Sequence, residues 1–150
     1  MRGIARFIST VGFVGKFPIA PGTAGSFLAC IVWYFFQPEM TIVMFLLAIF
    51  AIFFIGLYTS QLTENILLSN DPGEIVIDEW VGQWIALIGL EQSISWGFVA
   101  FFIFRLFDII KPYPINKLDM LKGGWGIMLD DVGAGIYTLV SVHSLKWFIG

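Results

Sequence analysis

The chain is 150 residues long, which suits one domain rather than two. Hydrophobic residues make up 58% and charged residues 13%, against about 45–50% and about 25% in soluble domains. That is too little charge to clothe a water-soluble monomer, and the composition reads as an integral membrane protein. A net charge of −3 without a basic run argues against nucleic-acid binding, and the single Cys30 against a disulfide scaffold.

Arg2 and Arg6 resemble the start of a signal peptide, but Lys16, Pro18 and Pro21 interrupt the apolar stretch that should follow. Thr23 to Phe36 is free of charge, and Met40 to Tyr58 supplies 19 residues, close to the roughly 20 that cross a bilayer. The polar break Gln37-Pro38-Glu39 predicts that these two segments form a helical hairpin. In Asp71-Pro72-Gly73-Glu74, an N-cap, a proline at the first helical position and an acid at the third predict a helix from Pro72 to about Leu90. Glu91-Gln92-Ser93 makes the next turn, and a helix follows from about Ile94 to Ile110, stopping before Lys111-Pro112. The polar stretch Pro114–Gly124 predicts a short interfacial helix. A last apolar helix is expected after Asp130-Asp131, continuing to about Phe148. The fold class is therefore all-α: a small integral-membrane bundle of about four to five apolar helices plus short interfacial ones, forming one membrane-embedded domain over residues 1–150.

With the N-terminus in the cytoplasm, Arg2, Arg6, Lys16, Arg105, Lys111, Lys117 and Lys122 lie inside and only Lys146 outside, as the positive-inside rule requires. The same topology puts nine of the eleven carboxylates inside, leaving Glu39 and Glu91 in the outer turns. Any chemistry is gathered on that face.

Four constellations carry it. The loop Gly15-Lys16-Phe17-Pro18-Ile19-Ala20-Pro21-Gly22-Thr23-Ala24-Gly25-Ser26 joins a mobile cation to glycines and a helix start that Thr23 or Ser26 can cap. This is either an anion cradle or a rigid entry turn. In the second, Glu74 and Asp78 share a helix face, and Asp78-Glu79 sits two turns into an apolar helix. Like charges there are costly without a cation, which points to a salt bridge, a metal or catalysis. In the third, Arg105, Asp108 and Lys111 form one stripe, as an ordinary ion pair or as a phosphate site. In the fourth, Asp130-Asp131 exceeds what one cap needs, and Gly133-Ala134-Gly135 lets another helix approach. Hard oxygen ligands without nearby His or Cys suit Mg²⁺ rather than Zn²⁺. His143 and Cys30 read as packing residues.

The four stretches GKFPIAPGTAGS (15–26), EIVIDEWVGQW (74–84), FRLFDIIKPYP (104–114) and DDVGAG (130–135) form a set that resembles the phosphatidylglycerophosphatase A family, membrane lipid phosphatases of bacteria. The resemblance implies an all-helical fold and Mg²⁺-dependent removal of the terminal phosphate from phosphatidylglycerophosphate, and the charge distribution puts that chemistry at the cytoplasmic face of the bacterial inner membrane. Asp78, Glu79, Asp108 and Asp131 are then the candidate catalytic and metal-binding residues, with Asp130 as a further ligand. Lys16, Thr23, Arg105 and Lys111 are the candidates for holding phosphate. Direct attack by water and a phospho-aspartyl intermediate both stay open. The competing class is a small ion-coupled transporter or channel subunit, since intramembrane acids also mark ion pathways. Against it, no charge interrupts Met40–Tyr58 to carry a path across the bilayer.

Overall fold

The computed structural model describes residues 1–150 and contains helices and turns only. In chain order these are α1 (Arg2–Ser9), α2 (Pro21–Phe36), α3 (Ile42–Leu67), α4 (Ile77–Ala86), α5 (Ile94–Ile110), α6 (Ile115–Asp119) and α7 (Gly123–Ile149). Single 3₁₀ turns, Val14–Lys16 and Gln37–Glu39, precede α2 and α3. Side-chain caps fix two of the starts. The Thr41 hydroxyl accepts from the Met44 amide at 3.2 Å, and the Ser93 hydroxyl from the Trp96 amide at 3.3 Å. α5 ends where Lys111 turns into the left-handed region (φ 48°), just ahead of Pro112.

α7 is the spine, packed against α3, α4, α5 and α6, and α4 is enclosed by α2, α3, α5 and α7. Eight of the ten residues of α4 are buried. Its approach to α7 is backbone on backbone: a Cβ at Gly82 would lie 2.6 Å from the Asp131 carbonyl oxygen and equally close to the Phe104 ring.

Several expectations change. The turn at Gln37–Glu39 exists, but α2 and α3 do not form a packed hairpin. α4 is wedged between them, and Trp84 fastens both sides: its indole N–H donates to the Ala29 carbonyl at 3.0 Å, and its ring lies 5.2 Å from Phe45. An aromatic pair of this kind adds about 0.5–1.5 kcal/mol beyond the area it buries.

The cap at Asp71 does not operate either. Residues 72–76 run as turns and extended chain, because Arg6 takes Glu74 in a two-pronged ion pair and the Val76 amide donates to the Ser9 carbonyl at 3.0 Å. The helix therefore begins only at Ile77. Glu74 shares no helix face with Asp78, and Asp78-Glu79 occupies the first turn rather than lying two turns in.

α7 starts at Gly123, not after Asp130-Asp131, because the Gly124 amide finds its acceptor in the Gln61 side chain at 2.9 Å. The two aspartates thus sit two turns inside a helix and cap nothing. Nor do Thr23 or Ser26 cap α2, whose first residue is Pro21. Ser26 instead donates back to the Gly22 carbonyl at 2.9 Å.

One helix, α3, is long and apolar enough to cross a membrane. α2 and α5, at 16 and 17 residues, are shorter than the roughly 20 residues a bilayer asks for.

Candidate active site

Three helix segments bring five carboxylates together. α4 contributes Asp78 and Glu79 from its first turn, α5 contributes Asp108 from its last, and α7 contributes Asp130 and Asp131 from its third. α4 and α5 run antiparallel through the turn at residues 91–93, so the start of one lies beside the end of the other. The ligand oxygens of Asp78, Glu79 and Asp131 all lie within 4.8 Å of one another, and so do those of Asp108, Asp130 and Asp131.

Two cations border this group. The Arg105 guanidinium donates through Nη1 to Asp108 and stands 4.0 Å from Glu79. Lys111 Nζ donates to Asp130 at 2.8 Å and to Asp119 of α6 at 2.6 Å. Burial works against the Lys111 charge, but its bonds to Asp119 and Asp130 outweigh that cost, so its pKa is raised and it stays protonated.

The cations do not satisfy the acids. Asp78 Oδ1, Glu79 Oε2, Asp130 Oδ1 and Asp131 Oδ1 are buried without a hydrogen-bond partner, and so is the donor Arg105 Nε. An orphaned buried polar atom costs about 1–3 kcal/mol, more when charged. Several such atoms at one place call for an explanation, and a bound ion, ordered water or a catalytic role each supply one. Donors made entirely of carboxylate oxygen fit a hard divalent cation such as Mg²⁺.

α2 closes the site from the side. A Cβ at Gly22 would collide with Glu79 Oε1 and lie 3.2 Å from Arg105 Nη1. The first turn of α2 therefore touches the acids through bare backbone. Thr23, half-buried in that turn, makes no side-chain hydrogen bond. Lys16 is not brought into the group, since its ammonium lies 4.5 Å above the Phe13 ring in the preceding loop. The two packing residues stay apart from the acids: His143 Nε2 meets the Ile88 carbonyl at 2.8 Å, and Cys30 lies in the middle of α2.

Two neighbours, Asp119 and Gln83, were not singled out from sequence, and a third, Asp71, was read only as a helix cap. Asp119 shares Lys111 with Asp130. Asp71 lines a polar cavity of about 550 Å³ together with Gln61, Glu64, Asn70, Asp119 and Lys122. Gln83, fully buried with neither amide atom partnered, stands one helical turn beyond Glu79. That i, i+4 spacing from an acid was a readable signal for Gln83; the other two depend on the folding of the 111–123 segment.

The family model described as phosphatidylglycerophosphatase A matches residues 7–146. The chain belongs to the phosphatidylglycerophosphatase A family. It is 38% identical to phosphatidylglycerophosphatase A of Haemophilus influenzae, over 93% of this chain and 87% of that one. Phosphatidylglycerophosphatase A of Escherichia coli is 39% identical, over 93% and 80%. A Bacteroides thetaiotaomicron protein named "Putative phosphatidylinositol-3-phosphatase" is also 39% identical, over 93% and 92%. No solved structure matches. As a member of the phosphatidylglycerophosphatase A family, the protein is an enzyme, a phosphatase.

Proposed function

We propose that the protein removes the terminal phosphate of phosphatidylglycerophosphate in a Mg²⁺-dependent hydrolysis at the cytoplasmic face of the bacterial inner membrane. The observation that carries this reading is the set of orphaned carboxylate oxygens from α4 and α7, gathered beside the unpartnered Nε of Arg105. Identity to two proteins named phosphatidylglycerophosphatase A supports the choice of lipid.

Asp78, Glu79, Asp108, Asp130 and Asp131 would hold the metal, which supplies polarisation of the phosphoryl group and a lower pKa for the attacking water. The residues do the rest. Arg105 keeps Nη1 on Asp108 and offers Nε to a phosphate oxygen. Lys111 adds positive charge beside Asp130, and the first turn of α2 offers backbone at Gly22. Lys16, in the preceding loop, contributes long-range attraction rather than contact. In direct hydrolysis a carboxylate of the group takes one proton from water. The water oxygen bonds to phosphorus, the ester P–O bond breaks, and the proton goes to the departing alkoxide. The products are phosphatidylglycerol and inorganic phosphate. Attack by an aspartate first would reach the same products through a second hydrolysis.

A multi-pass bundle with a cytoplasmic N-terminus suits this substrate, because the lipid tails never leave the bilayer. α3 exposes Leu47, Phe50 and Phe54, as a lipid-facing helix would. α1 and its loop expose Ile4, Phe7 and Phe17 beside Arg2, Arg6 and Lys16, the pattern of a segment lying in the headgroup layer.

A second substrate is favoured by one feature. The 550 Å³ polar cavity meets the site through Asp119 and Lys111, and it is larger than a glycerol headgroup needs. Its acids and amides suit the hydroxyls of a cyclitol, which matches the name of the Bacteroides relative.

The deciding assay is phosphate release by the purified protein in mixed micelles, from phosphatidylglycerophosphate and from phosphatidylinositol 3-phosphate, with Mg²⁺ or with EDTA. Release from the first lipid in Mg²⁺ alone is expected. Preference for the second reassigns the substrate, and release undiminished by EDTA refutes the metal.

A further inference from the structure

We infer that the acidic site holds two divalent cations, joined by the shared carboxylate of Asp131. This rests on the Mg²⁺-dependent reading above and adds the number of ions and the ligand between them. Two triads of carboxylates meet here, Asp78–Glu79–Asp131 and Asp108–Asp130–Asp131, each with its ligand oxygens within 4.8 Å of one another. Asp131 is the member common to both.

The unpartnered oxygens are spread over both triads. Asp78 Oδ1 and Glu79 Oε2 belong to the first, Asp130 Oδ1 to the second, and Asp131 Oδ1 to the junction. Asp78, Asp130 and Asp131 are 6%, 4% and 2% exposed, so water does not serve them as it serves a surface acid. One ion seated in either triad would leave the other with its oxygens unanswered. The protein's own cations do not remedy this: Arg105 and Lys111 reach both triads only at Asp108, Glu79 and Asp130.

Charge gives an independent argument. With all five carboxylates ionised, as metal ligands are, Arg105 and Lys111 leave three negative charges, before Asp119 takes its share of Lys111. One divalent ion reduces that to a single negative charge. A phosphomonoester dianion would then enter a poorly screened site of its own sign. Two divalent ions turn the balance positive by one, or bring it to zero when Asp119 is counted, and the site no longer repels the dianion it has to bind. Paired hard cations are also the arrangement that steadies the attacking and departing oxygens of a phosphoryl transfer together.

Mn²⁺ tests the inference, because it takes the same oxygen ligands as Mg²⁺ and is paramagnetic. The full-length protein in lipid nanodiscs, stripped with EDTA, is titrated with Mn²⁺ alone. Bound ions are counted by equilibrium binding, and their environment is read by electron paramagnetic resonance. The wild type should bind two Mn²⁺ per chain and give the spectrum of an exchange-coupled pair. Asp78→Asn and Asp108→Asn should each bind one, with an isolated-ion spectrum, and Asp131→Asn should show no coupling. One Mn²⁺ per wild-type chain, or two without coupling, overturns the inference, and this result stands whether or not a variant folds. A single Mn²⁺ in a protein that still releases phosphate in Mg²⁺ refutes the pair and not the activity. Two coupled ions in a protein that releases no phosphate refute the activity and not the pair.

Discussion

Glu74 and Asp78 stand four residues apart in sequence, and the fold treats them in opposite ways. Glu74 lies at the edge of the bundle, where Arg6 grips both of its oxygens (Oε2 at 2.8 Å) and pulls its pKa below the usual range. Asp78 lies inside, 6% exposed, against Asp131 and Glu79, with Oδ1 unpartnered. The first acid is complete within the chain and holds the backbone. The second is incomplete within the chain, and its incompleteness marks the site. The difference separates an acid that builds the fold from acids whose partners the chain does not supply, and substitution can sharpen it.

The largest effect belongs to the incomplete acids. Asp131→Asn keeps the shape of the side chain and removes a negative charge from both triads, so kcat should fall about 10³-fold, the scale of losing several kcal/mol of transition-state stabilisation. The metal-free protein should be no less stable than the wild type, because a buried like-charge repulsion is relieved. Thermal denaturation in EDTA measures this, and a lowered midpoint would mean that Asp131 is structural.

A smaller effect is expected at Gly22, where backbone meets Glu79 and Arg105. Gly22→Ala pushes on the ends of two flexible side chains rather than on backbone, so the melting temperature should hardly move. The displaced carboxylate and guanidinium should cost kcat roughly 10–100-fold. Steady-state kinetics beside a melting curve would separate the two, and unchanged kcat would place the α2 start outside the site.

The smallest effect is at the complete acid. Glu74→Gln should leave Mg²⁺-dependent turnover intact and lower stability at neutral pH. Because the folded pKa of Glu74 is depressed, its contribution is present above the unfolded value of about 4.3. It disappears as pH falls through the folded value. The gap in melting temperature between wild type and Glu74→Gln should therefore be widest near pH 7 and close on acidification. A gap independent of pH would mean that the ion pair with Arg6 contributes nothing.

The same contrast explains what was legible in the sequence. α5 appears at Ile94–Ile110 as expected, since Ser93 caps one end and Lys111-Pro112 stops the other: both signals are local. The acids of the candidate site were legible as paired carboxylates in apolar helices, where a salt bridge, a cap or a metal each remained open, and the fold brings them together. The late start of α4 was not, since it depends on Arg6 reaching Glu74 across 68 residues, and local capping chemistry at Asp71 argued the other way. The early start of α7 was hidden for the same reason, its acceptor being Gln61 on α3. The separation of α2 from α3 follows from Trp84, a residue that hydrophobic patterning reads only as apolar. Sequence also placed Lys111 among the phosphate ligands without its second partner, Asp119.

That second partner gives the site a sensitivity to ionic strength. Lys111 divides its ammonium between Asp119, whose side chain is 40% exposed, and Asp130, at 6%. Screening shortens from about 10 Å at 0.1 M salt to about 3 Å at 1 M, and acts on the exposed arm far more than on the buried one. Concentrated salt therefore slackens the tether that holds α6 against the end of α5 and commits the lysine to Asp130. The rim of the polar cavity that Asp119 lines loses one of its anchors at the same time.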